Sequence, residues 1–393
     1  MKIKYFFPLL LCLSCSVLNA QVSISEALSI VEAHNPQLLL LQSEMHATHL
    51  ETASAYALPD MDFEMEQSWG AQRESGQRTE LRIAQEFDAT TLLGGARRAI
   101  RSNQKALEAE YRQTRMEVLC NTKALCMDII YYRQLLQLRS ERAENARQLV
   151  SALEKKLTLG SADLLQVNRA KLRYAQAIAD SSSTVVDLQR AKGTLLQLSS
   201  GKVNDITERD FAPILLPKDF ESWFASEEGA FPTLQALDAQ VEEKKQLLSA
   251  ERLALLPSFS VGYLFEKSPG EKMNGFTIGL SLPFWRSGGK VRAAKAKLQN
   301  AELSHAKGKE SLRITLRNLF YETSSEALHA ATLQRALSEA GDKRLPDKAF
   351  ALGKLSLENY LNEIAERYEL EDKALEATYK AARLYVALTG HRL

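Results

Sequence analysis

Acidic residues alternate with apolar residues in one short stretch of this sequence. From Pro59 to Gly70 the chain reads PDMDFEMEQSWG, with carboxylates at Asp60, Asp62, Glu64 and Glu66 and with Met or Phe between them. Asp and Glu are poor strand formers, so this period of two indicates a strand with one apolar side and one wet side. Carboxylates along a wet surface favour cations over anions. The first chemistry that the sequence suggests is therefore attraction of cations to the wet side of this strand.

Other reactive residue types do not assemble into a site. His46 and His49 lie three residues apart on a predicted helix, a spacing compatible with one metal ion, but no Cys, Asp or third His is nearby; a solvated face or packing between copies explains them as well. The segment SGGK at 287–290 lacks the glycine spacing of a phosphate loop. No nucleophile, base and acid can be grouped. We predict no enzyme, no cofactor and no metal centre.

The two cysteines beyond the first twenty residues fall on one predicted helix. Cys120 and Cys126 are separated by about 9 Å of helical rise, too far for a disulfide within that helix. They are typical of small core or helix-seam residues.

Composition narrows the class of protein. The 393 residues are 25% charged with a net charge of only +1, and they include just 18 Gly and 10 Pro. The absence of a basic excess argues against a nucleic-acid partner. The chain is instead rich in helix formers between a few irregular islands.

The first twenty residues have the pattern of an export signal. Two lysines precede an apolar run from Tyr5 to Leu13, and small and polar residues lead to Ala20. Cleavage after Ala20 is one expectation, and lipid attachment at Cys15 is the alternative. No later apolar run approaches the ~18 residues of a membrane helix, so the mature chain is either soluble or spans a membrane as a barrel.

The sequence is internally duplicated. Asn35-Pro36 begins a helix-like segment that ends at Pro59, and Phe231-Pro232 begins another that ends at Pro257. Two alternating segments, a Gly-Gly pair and a long helical stretch follow each. We predict a signal peptide (1–20), a first repeat (21–201) with strands 60–69 and 78–87 and a helical hairpin 96–200, a connector (202–230), and a second repeat (231–393) with strands 258–266 and 274–284 and a hairpin 288–390.

Both long helical stretches carry a coiled-coil seam. Apolar and small residues recur with a 3.5-residue period from Val118 to Leu157, and a similar pattern runs from about Lys290 to Leu345. Breaks near Gly160 and Gly353 end these helices, and Gly201 and Gly390 are the expected stops of the helices that return.

The four alternating segments have the length of tilted membrane strands. In the second of them Glu80, Arg82 and Glu86 share the polar side. Trp69, Phe87, Phe284 and Trp285 lie near segment ends, as in an interfacial girdle. Four strands cannot close a barrel in a membrane, so they must be pooled between chains; three copies would give about twelve strands. The predicted pore lining is Asp60, Asp62, Glu64, Glu66, Glu80, Arg82 and Glu86.

The segments LLPSFSVGYLFEKS and GFTIGLSLPFWRSGGKVRAAKAKL resemble the second-repeat strand pair and helix start of the TolC family of bacterial outer-membrane efflux proteins, particularly its heavy-metal cation and multidrug branches. The resemblance implies a mainly α fold of duplicated long helical hairpins in a coiled-coil α-barrel, with four strands per chain pooled into a trimeric twelve-stranded β-barrel. It also implies a periplasmic adaptor and an inner-membrane pump of RND type as partners.

Family members carry a V-G-L-like turn at the hairpin tips, where the adaptor docks and the channel closes. Here the second tip is Leu352-Gly353-Lys354-Leu355, followed by Glu358. The first tip, with Leu159, Gly160, Ser161 and Asp163, reads as about three residues shorter before its leucine pair. Asp163 and Glu358 are candidate gate residues, or equally the solvated starts of helices.

The function that this reading predicts is a passive outer-membrane conduit, with a large periplasmic part, that carries metal cations or drugs from the pump and adaptor to the exterior of a Gram-negative bacterium. One alternative is a soluble periplasmic coiled-coil adaptor or scaffold protein, and a second is a porin-like channel that works without a pump.

Overall fold

The computed structural model describes residues 21–69, 76–282 and 288–393. It divides the chain into two compact units: the residues up to Asn35 with Leu125–Phe211, and Pro36–Ala124 with Ala212–Leu393. The helices are α1 (Ile24–His34), α2 (Pro36–Ala55), α3 (Ala89–Leu92), α4 (Gly95–Thr158), α5 (Leu164–Leu198), α6 (Phe220–Glu227), α7 (Pro232–Leu253), α8 (Gly289–Glu339), α9 (Leu345–Ala351) and α10 (Leu357–Thr389). The strands are β1 (Gln21–Val22), β2 (Asp62–Trp69), β3 (Gln77–Phe87), β4 (Asp205–Ile206), β5 (Ser258–Ser268) and β6 (Glu271–Ser281).

The first unit is fastened by one charged cluster. β1 and β4 pair in parallel, and Asp205 in β4 accepts from Arg133 Nη2 at 2.6 Å and from Lys192 Nζ at 2.7 Å. Arg133 Nη2 also donates to the Ile206 carbonyl at 3.0 Å. Because all three charged side chains are mostly buried, the cluster ties α4 and α5 to this two-stranded sheet.

The second unit holds the four-stranded sheet in the order β2-β3-β5-β6, with every pair antiparallel. Below it, α8 packs along α7 and α10. An aromatic cluster fixes α6 against these helices, with Phe220, Trp223, Phe224, Phe231, Leu234, Leu316, Phe320 and Leu388 all buried. The carboxylate of Glu227, the last residue of α6, contacts His391 Nε2 at 3.0 Å and Arg392 Nη2 at 2.6 Å.

In the second hairpin β5 is longer than the sequence predicted, and β6 keeps its predicted length but starts and ends three residues earlier. β5 reaches Ser268 and β6 starts at Glu271, so two residues replace the longer loop expected between positions 266 and 274. Pro269 and Gly270, whose φ is +87°, supply the residue pair of a type II turn. β2 begins at Asp62 rather than at position 60, and β3 at Gln77 rather than at position 78.

One helix end corrects the prediction and another confirms it. The long stretch expected to reach Leu345 ends at Glu339, because Gly341 takes a φ of +76°, Asp342 accepts from the Arg344 backbone N–H at 3.0 Å, and the separate helix α9 begins at Leu345 with Pro346 as its second residue. Helix α10 ends at Thr389 with Gly390 at its C-cap, as expected; the φ of Gly390 is −58°, and a Cβ there would lie 2.8 Å from Cys120 Sγ. None of the described helices is both long and apolar enough to cross a membrane.

The Asp205 cluster predicts a pH-dependent contribution to stability. Burial alone would raise the pKa of Asp205, but hydrogen bonds from Lys192 and the Ile206 backbone, with the charges of Arg133 and Lys192, lower the pKa overall. A carboxyl with a depressed folded-state pKa stabilises the fold above its unfolded pKa of about 3.9, and this contribution is lost as pH falls through the folded value.

We expect Asp205→Asn to lower stability by about 2 kcal/mol at pH 7 and by less at pH 3, measured from thermal melting of both proteins. Asp187→Asn is the control, because it breaks only an exposed pair with Arg190 on α5 and should change stability little. The same loss for Asp205→Asn at both pH values would contradict the assignment.

Candidate functional site

The register of the four-stranded sheet separates its side chains into two faces. Residues directly opposite one another in paired antiparallel strands point to the same side. Glu66, Glu80 and Glu266 form one such row across three strands, and Met65, Leu81 and Phe265 form the next row on the opposite face. One face carries Asp62, Glu64, Glu66, Arg78, Glu80, Arg82, Glu86, Ser258, Ser260, Glu266 and Glu271. The other carries Phe63, Met65, Leu81, Ile83, Phe87, Phe259, Val261, Tyr263, Phe265, Phe276, Ile278 and Leu280.

The apolar face is open to its surroundings. Phe276 is 85% exposed and Ile278 84%, and Phe63 and Met65 are each about two-thirds exposed. Along β5 the apolar side chains from Phe259 onward cover about 20 Å at ~3.3 Å per residue. Lys267 and Lys272 then face each other at the turn and end the apolar band. A contiguous exposed band of this kind marks a binding or membrane surface.

The polar face is acidic and is only partly neutralised. Arg78 contacts Glu80 through Nη2 at 3.1 Å and Glu266 through Nε at 2.9 Å, so it bridges two carboxylates that would otherwise repel each other across the ladder. Arg82 Nη1 lies 4.0 Å from Glu64. The Ser258 hydroxyl donates to Glu86 at 2.5 Å. Seven carboxylates against two guanidinium groups leave this face strongly negative.

The predicted pore-lining residues take their places on this face with one difference. Asp62, Glu64, Glu66, Glu80, Arg82 and Glu86 share it, whereas Asp60 precedes β2 and is exposed. Sequence reasoning missed Arg78 and Glu266. Both have the same strand parity as the residues named, so the alternation itself could have identified them. Phe284 and Trp285 of the expected aromatic girdle lie outside the described residues.

The first hairpin tip is a glycine turn between α4 and α5. Gly160 has a φ of +72°, its N–H donates to the Leu157 carbonyl at 3.0 Å, and the Ser161 N–H donates to the Lys156 carbonyl at 2.8 Å. This pair of bonds is a Schellman motif. Asp163 then caps α5 and completes a capping box with Gln166. Leu159, 81% exposed, and Leu165, 74% exposed, flank the turn.

The second tip repeats this backbone. Gly353 has a φ of +70°, and the Gly353 and Lys354 N–H groups donate to the Phe350 and Ala349 carbonyls at 3.0 and 2.9 Å. Ser356 caps α10, three residues after the glycine as Asp163 is after Gly160. The first tip is therefore not shorter, which corrects the expectation from the sequence.

The second tip is also held from the side by α9. The Tyr360 hydroxyl donates to Asp347 Oδ1 at 2.7 Å, and its ring stacks on Phe350 with centroids 4.8 Å apart. Burial and the hydrogen bond to Asp347 raise the pKa of the Tyr360 phenol. Arg367 donates to the Gly341 carbonyl at 3.3 Å, so the break before α9 is also fixed. Leu352 projects from this tip, 72% exposed.

The tip acids have structural roles that the sequence left open. Asp163 is the N-cap of α5, and Glu358 lies in the first turn of α10, where a negative charge is favourable. A role for either in a gate stays a prediction.

The histidine pair lies on α2 beside α4. His46 and His49 line a shallow pocket with Gln104 and Glu108. In the part of the chain that the structure describes, no three His, Cys, Asp or Glu side chains form a group that could hold a metal ion.

Comparison with known proteins identifies the fold. No protein-family model matches the sequence, and no curated protein matches it. Solved structures do match, over 94% of this chain. The open-state MtrE outer-membrane channel of Neisseria gonorrhoeae is 15% identical with a TM-score of 0.76 over 88% of its own chain. The outer-membrane protein VceC of Vibrio cholerae is 14% identical, with a TM-score of 0.74 over 95%. The CmeC outer-membrane channel of Campylobacter jejuni is 17% identical, with a TM-score of 0.69 over 85%.

The chain therefore has the TolC-like fold of these channel proteins. The predicted fold class is confirmed in its mainly helical content, its long helical hairpins and its four antiparallel strands.

Replacement by Ala should have opposite effects at a glycine of the first tip and at a glycine inside α5. Gly160→Ala places a Cβ at a left-handed position and should destabilise the hairpin end by about 1 kcal/mol. Gly193→Ala lies inside α5 with open space around it, so it should stabilise the helix by up to about 1 kcal/mol. Hydrogen exchange of the α4–α5 peptides would measure both, and changes of the same sign would contradict the turn geometry.

Proposed function

We propose that this chain is a passive outer-membrane efflux channel in which three copies pool their strands into one barrel. The observation that carries the proposal is the four-stranded sheet, with an exposed apolar band on one face, acids on the other and two open edges. The fold shared with solved outer-membrane channels supports it. Nothing in the proposed role needs catalysis or a cofactor, so the chain is not an enzyme.

The two open edges of the sheet support an assembly of several chains. β2 and β6 are the outer strands, and within the described residues neither has a partner on its outer side. Unpaired backbone groups are not tolerated in hydrocarbon, so in a membrane these edges must be closed. About eight strands make a barrel just filled by side chains, so four cannot enclose a passage. Three copies give about twelve strands and a homotrimer.

The two faces then determine what the barrel does. The apolar band faces outer-membrane lipid, and the acidic face surrounds water. Asp62, Glu64, Glu66, Glu80 and Glu86, with Arg82 among them, line the pore, and Asp60 stands at its helical end. Such a surface favours cations at low ionic strength.

The helical hairpins continue the conduit below the barrel. α4 alone is about 96 Å long, so paired long helices can enclose a tunnel through the periplasm. The tips, with Leu159, Gly160 and Ser161 in one and Leu352, Gly353, Lys354 and Leu355 in the other, present exposed leucines that suit a periplasmic adaptor protein. Asp163 and Glu358 flank these tips as gate candidates.

The adaptor connects the tunnel to an inner-membrane pump of RND type, which supplies the energy. The exported compounds are metal cations or drugs, and no nucleic acid is a partner. The protein resides in the outer membrane of a Gram-negative bacterium with a large periplasmic part.

Cleavage of the signal peptide makes Gln21 the first residue of the mature chain, with acylation at Cys15 as the alternative. The two repeats, 21–201 and 231–393 around the connector, reflect a duplicated origin.

The proposal is tested by the location and mass of the mature protein. Membranes of expressing cells are separated, and the complex is extracted in mild detergent and sized. We expect outer-membrane recovery at about three chain masses. A soluble periplasmic monomer would favour the adaptor or scaffold alternative and would contradict the proposal. The mass of the mature chain also distinguishes cleavage at Ala20 from acylation at Cys15.

The acidic lining predicts ion selectivity. Removing two carboxylates with Glu64→Gln and Glu66→Gln should reduce cation preference, measured as the reversal potential across a bilayer in a low-salt gradient. Arg78→Gln is the matched control of opposite sign, because it removes a positive charge from the same face and should increase cation preference. Unchanged selectivity in the double variant would contradict the lining.

A further inference from the structure

Positive charge is concentrated where the helices begin beneath the sheet. From Ala89 to Leu107 the sequence has four basic residues and no acid, and from Leu282 to Ala301 it has five basic residues and no acid. Neither α4 nor α8 has an acid in its first turn. The net charge of +1 therefore results from the cancellation of charges that lie in different regions. The acidic residues of the sheet lie on one of its faces, and the basic group lies just below the sheet.

The side chains of this basic group are exposed and unneutralised. We call six of them the collar: Arg97, Arg98 and Arg101 on α4, and Arg292, Lys295 and Lys297 on α8. In the described ranges none of the six forms an ion pair. Arg97, Arg98 and Arg292 lie in the first turns of their helices, where a cation is unfavourable for the helix dipole, so helix stability does not explain these three. Basic residues that oppose the helix dipole without forming an ion pair indicate a functional role.

Exposed leucines accompany the collar. At the junctions between strands and helices, Leu58, Leu92, Leu93, Leu255 and Leu256 are each between 39% and 58% exposed. We call these five the leucine belt. Arg98 Nη1 donates to the Leu93 carbonyl at 3.3 Å, so one collar guanidinium lies directly beside the belt.

We propose that the collar and the belt together bind anionic phospholipid in the membrane leaflet on the helical side of the sheet. The phosphodiester group accepts hydrogen bonds from the guanidinium and ammonium groups, while the acyl chains contact the leucines. Basic residues at this depth attract anionic lipid through the surface potential. The inference rests on the proposed membrane location of the sheet.

The arrangement favours a lipid over a soluble anion. The belt lies at the strand ends, where the apolar band of the sheet stops, and the collar follows it on the next helical turns. A soluble anion would bind the basic side chains of the collar but would leave the leucine belt without a role. A phospholipid can contact both, because its phosphodiester group binds the collar and its acyl chains contact the belt.

The test compares two lipids around the inserted channel. The full-length trimer is reconstituted in phosphatidylcholine vesicles with trace spin-labelled phosphatidylglycerol or spin-labelled phosphatidylcholine, and the motionally restricted fraction of each is measured. We expect phosphatidylglycerol to be preferred by about threefold or more at low salt, with most of the preference lost in about 0.5 M NaCl.

A variant pair isolates the collar. Replacing Arg97, Arg101, Lys295 and Lys297 with Gln should bring the preference close to one. Replacing Lys155, Arg169, Arg173 and Arg335 with Gln removes the same charge from exposed positions elsewhere on the helices and should leave the preference unchanged. An equal loss in both variants would overturn the collar assignment.

The wild-type salt series needs no variant, so the inference stays testable even where a variant misfolds. A wild-type trimer that inserts and conducts ions but shows no preference between the lipids would overturn this inference and leave the proposed function standing. A wild-type chain that does not insert in either lipid would overturn both.

Discussion

The unpaired backbone N–H and C=O groups along the outer sides of β2 and β6 impose the main constraint on this sheet. A sheet that is apolar and exposed on one face belongs against lipid, but lipid offers no hydrogen bonds to an open edge. The chain has only the order β2-β3-β5-β6, and closing the sheet on itself would need more strands than it holds. In the proposed barrel, oligomerisation follows from hydrogen-bond satisfaction at the strand edges, and the central passage follows from oligomerisation.

Charge follows the same geometry. Carboxylates collect on the face that pooling turns toward water, and Arg78 lies among them, bridging Glu80 and Glu266 where three acids stand in one row. Cations collect on α4 and α8 where the strands end. At the far ends of the hairpins the acids act on the backbone instead, as Asp163 does at the start of α5. The role of a charged side chain therefore depends on whether it lies on the sheet, at the start of a long helix or at a hairpin tip.

The sequence predicted the features that depend on periodicity. Alternation in the strands specified which side chains share a face, because a period of two leaves no other arrangement, and the glycine breaks located both hairpin tips. The sequence-based prediction was wrong where a single turn determines the end of a strand or helix. Pro269-Gly270 extends β5 beyond its predicted end and lets β6 begin before its predicted start, and Gly341 separates α9 from α8 although the helical pattern continues across it.

Helix ends show the same limit. Gly390 ends α10 where the sequence predicted, but close packing against Cys120 explains the glycine rather than a left-handed turn, and at the end of α5 the non-glycine Ser200 takes a φ of +52°. Contacts between residues distant in sequence decide such cases. Alternation could have placed Arg78 and Glu266 on the polar face, but the ion pair between them could not be predicted, because it exists only once β3 and β5 from separate repeats are neighbours.

Disulfide cross-linking between the two sheet edges tests the central claim most directly. One cysteine replaces Glu64 in β2, a second is moved through Gly275, Thr277 and Gly279 in β6, and Cys120 and Cys126 are replaced by Ala. Within one chain these edges are three strand spacings apart, about 14 Å, which is too far for a disulfide. If three chains pool their strands, at least one cysteine pair should yield covalent products of up to three chains and no larger. Chains that remain monomeric at every pair, while inserted in the outer membrane, would contradict it.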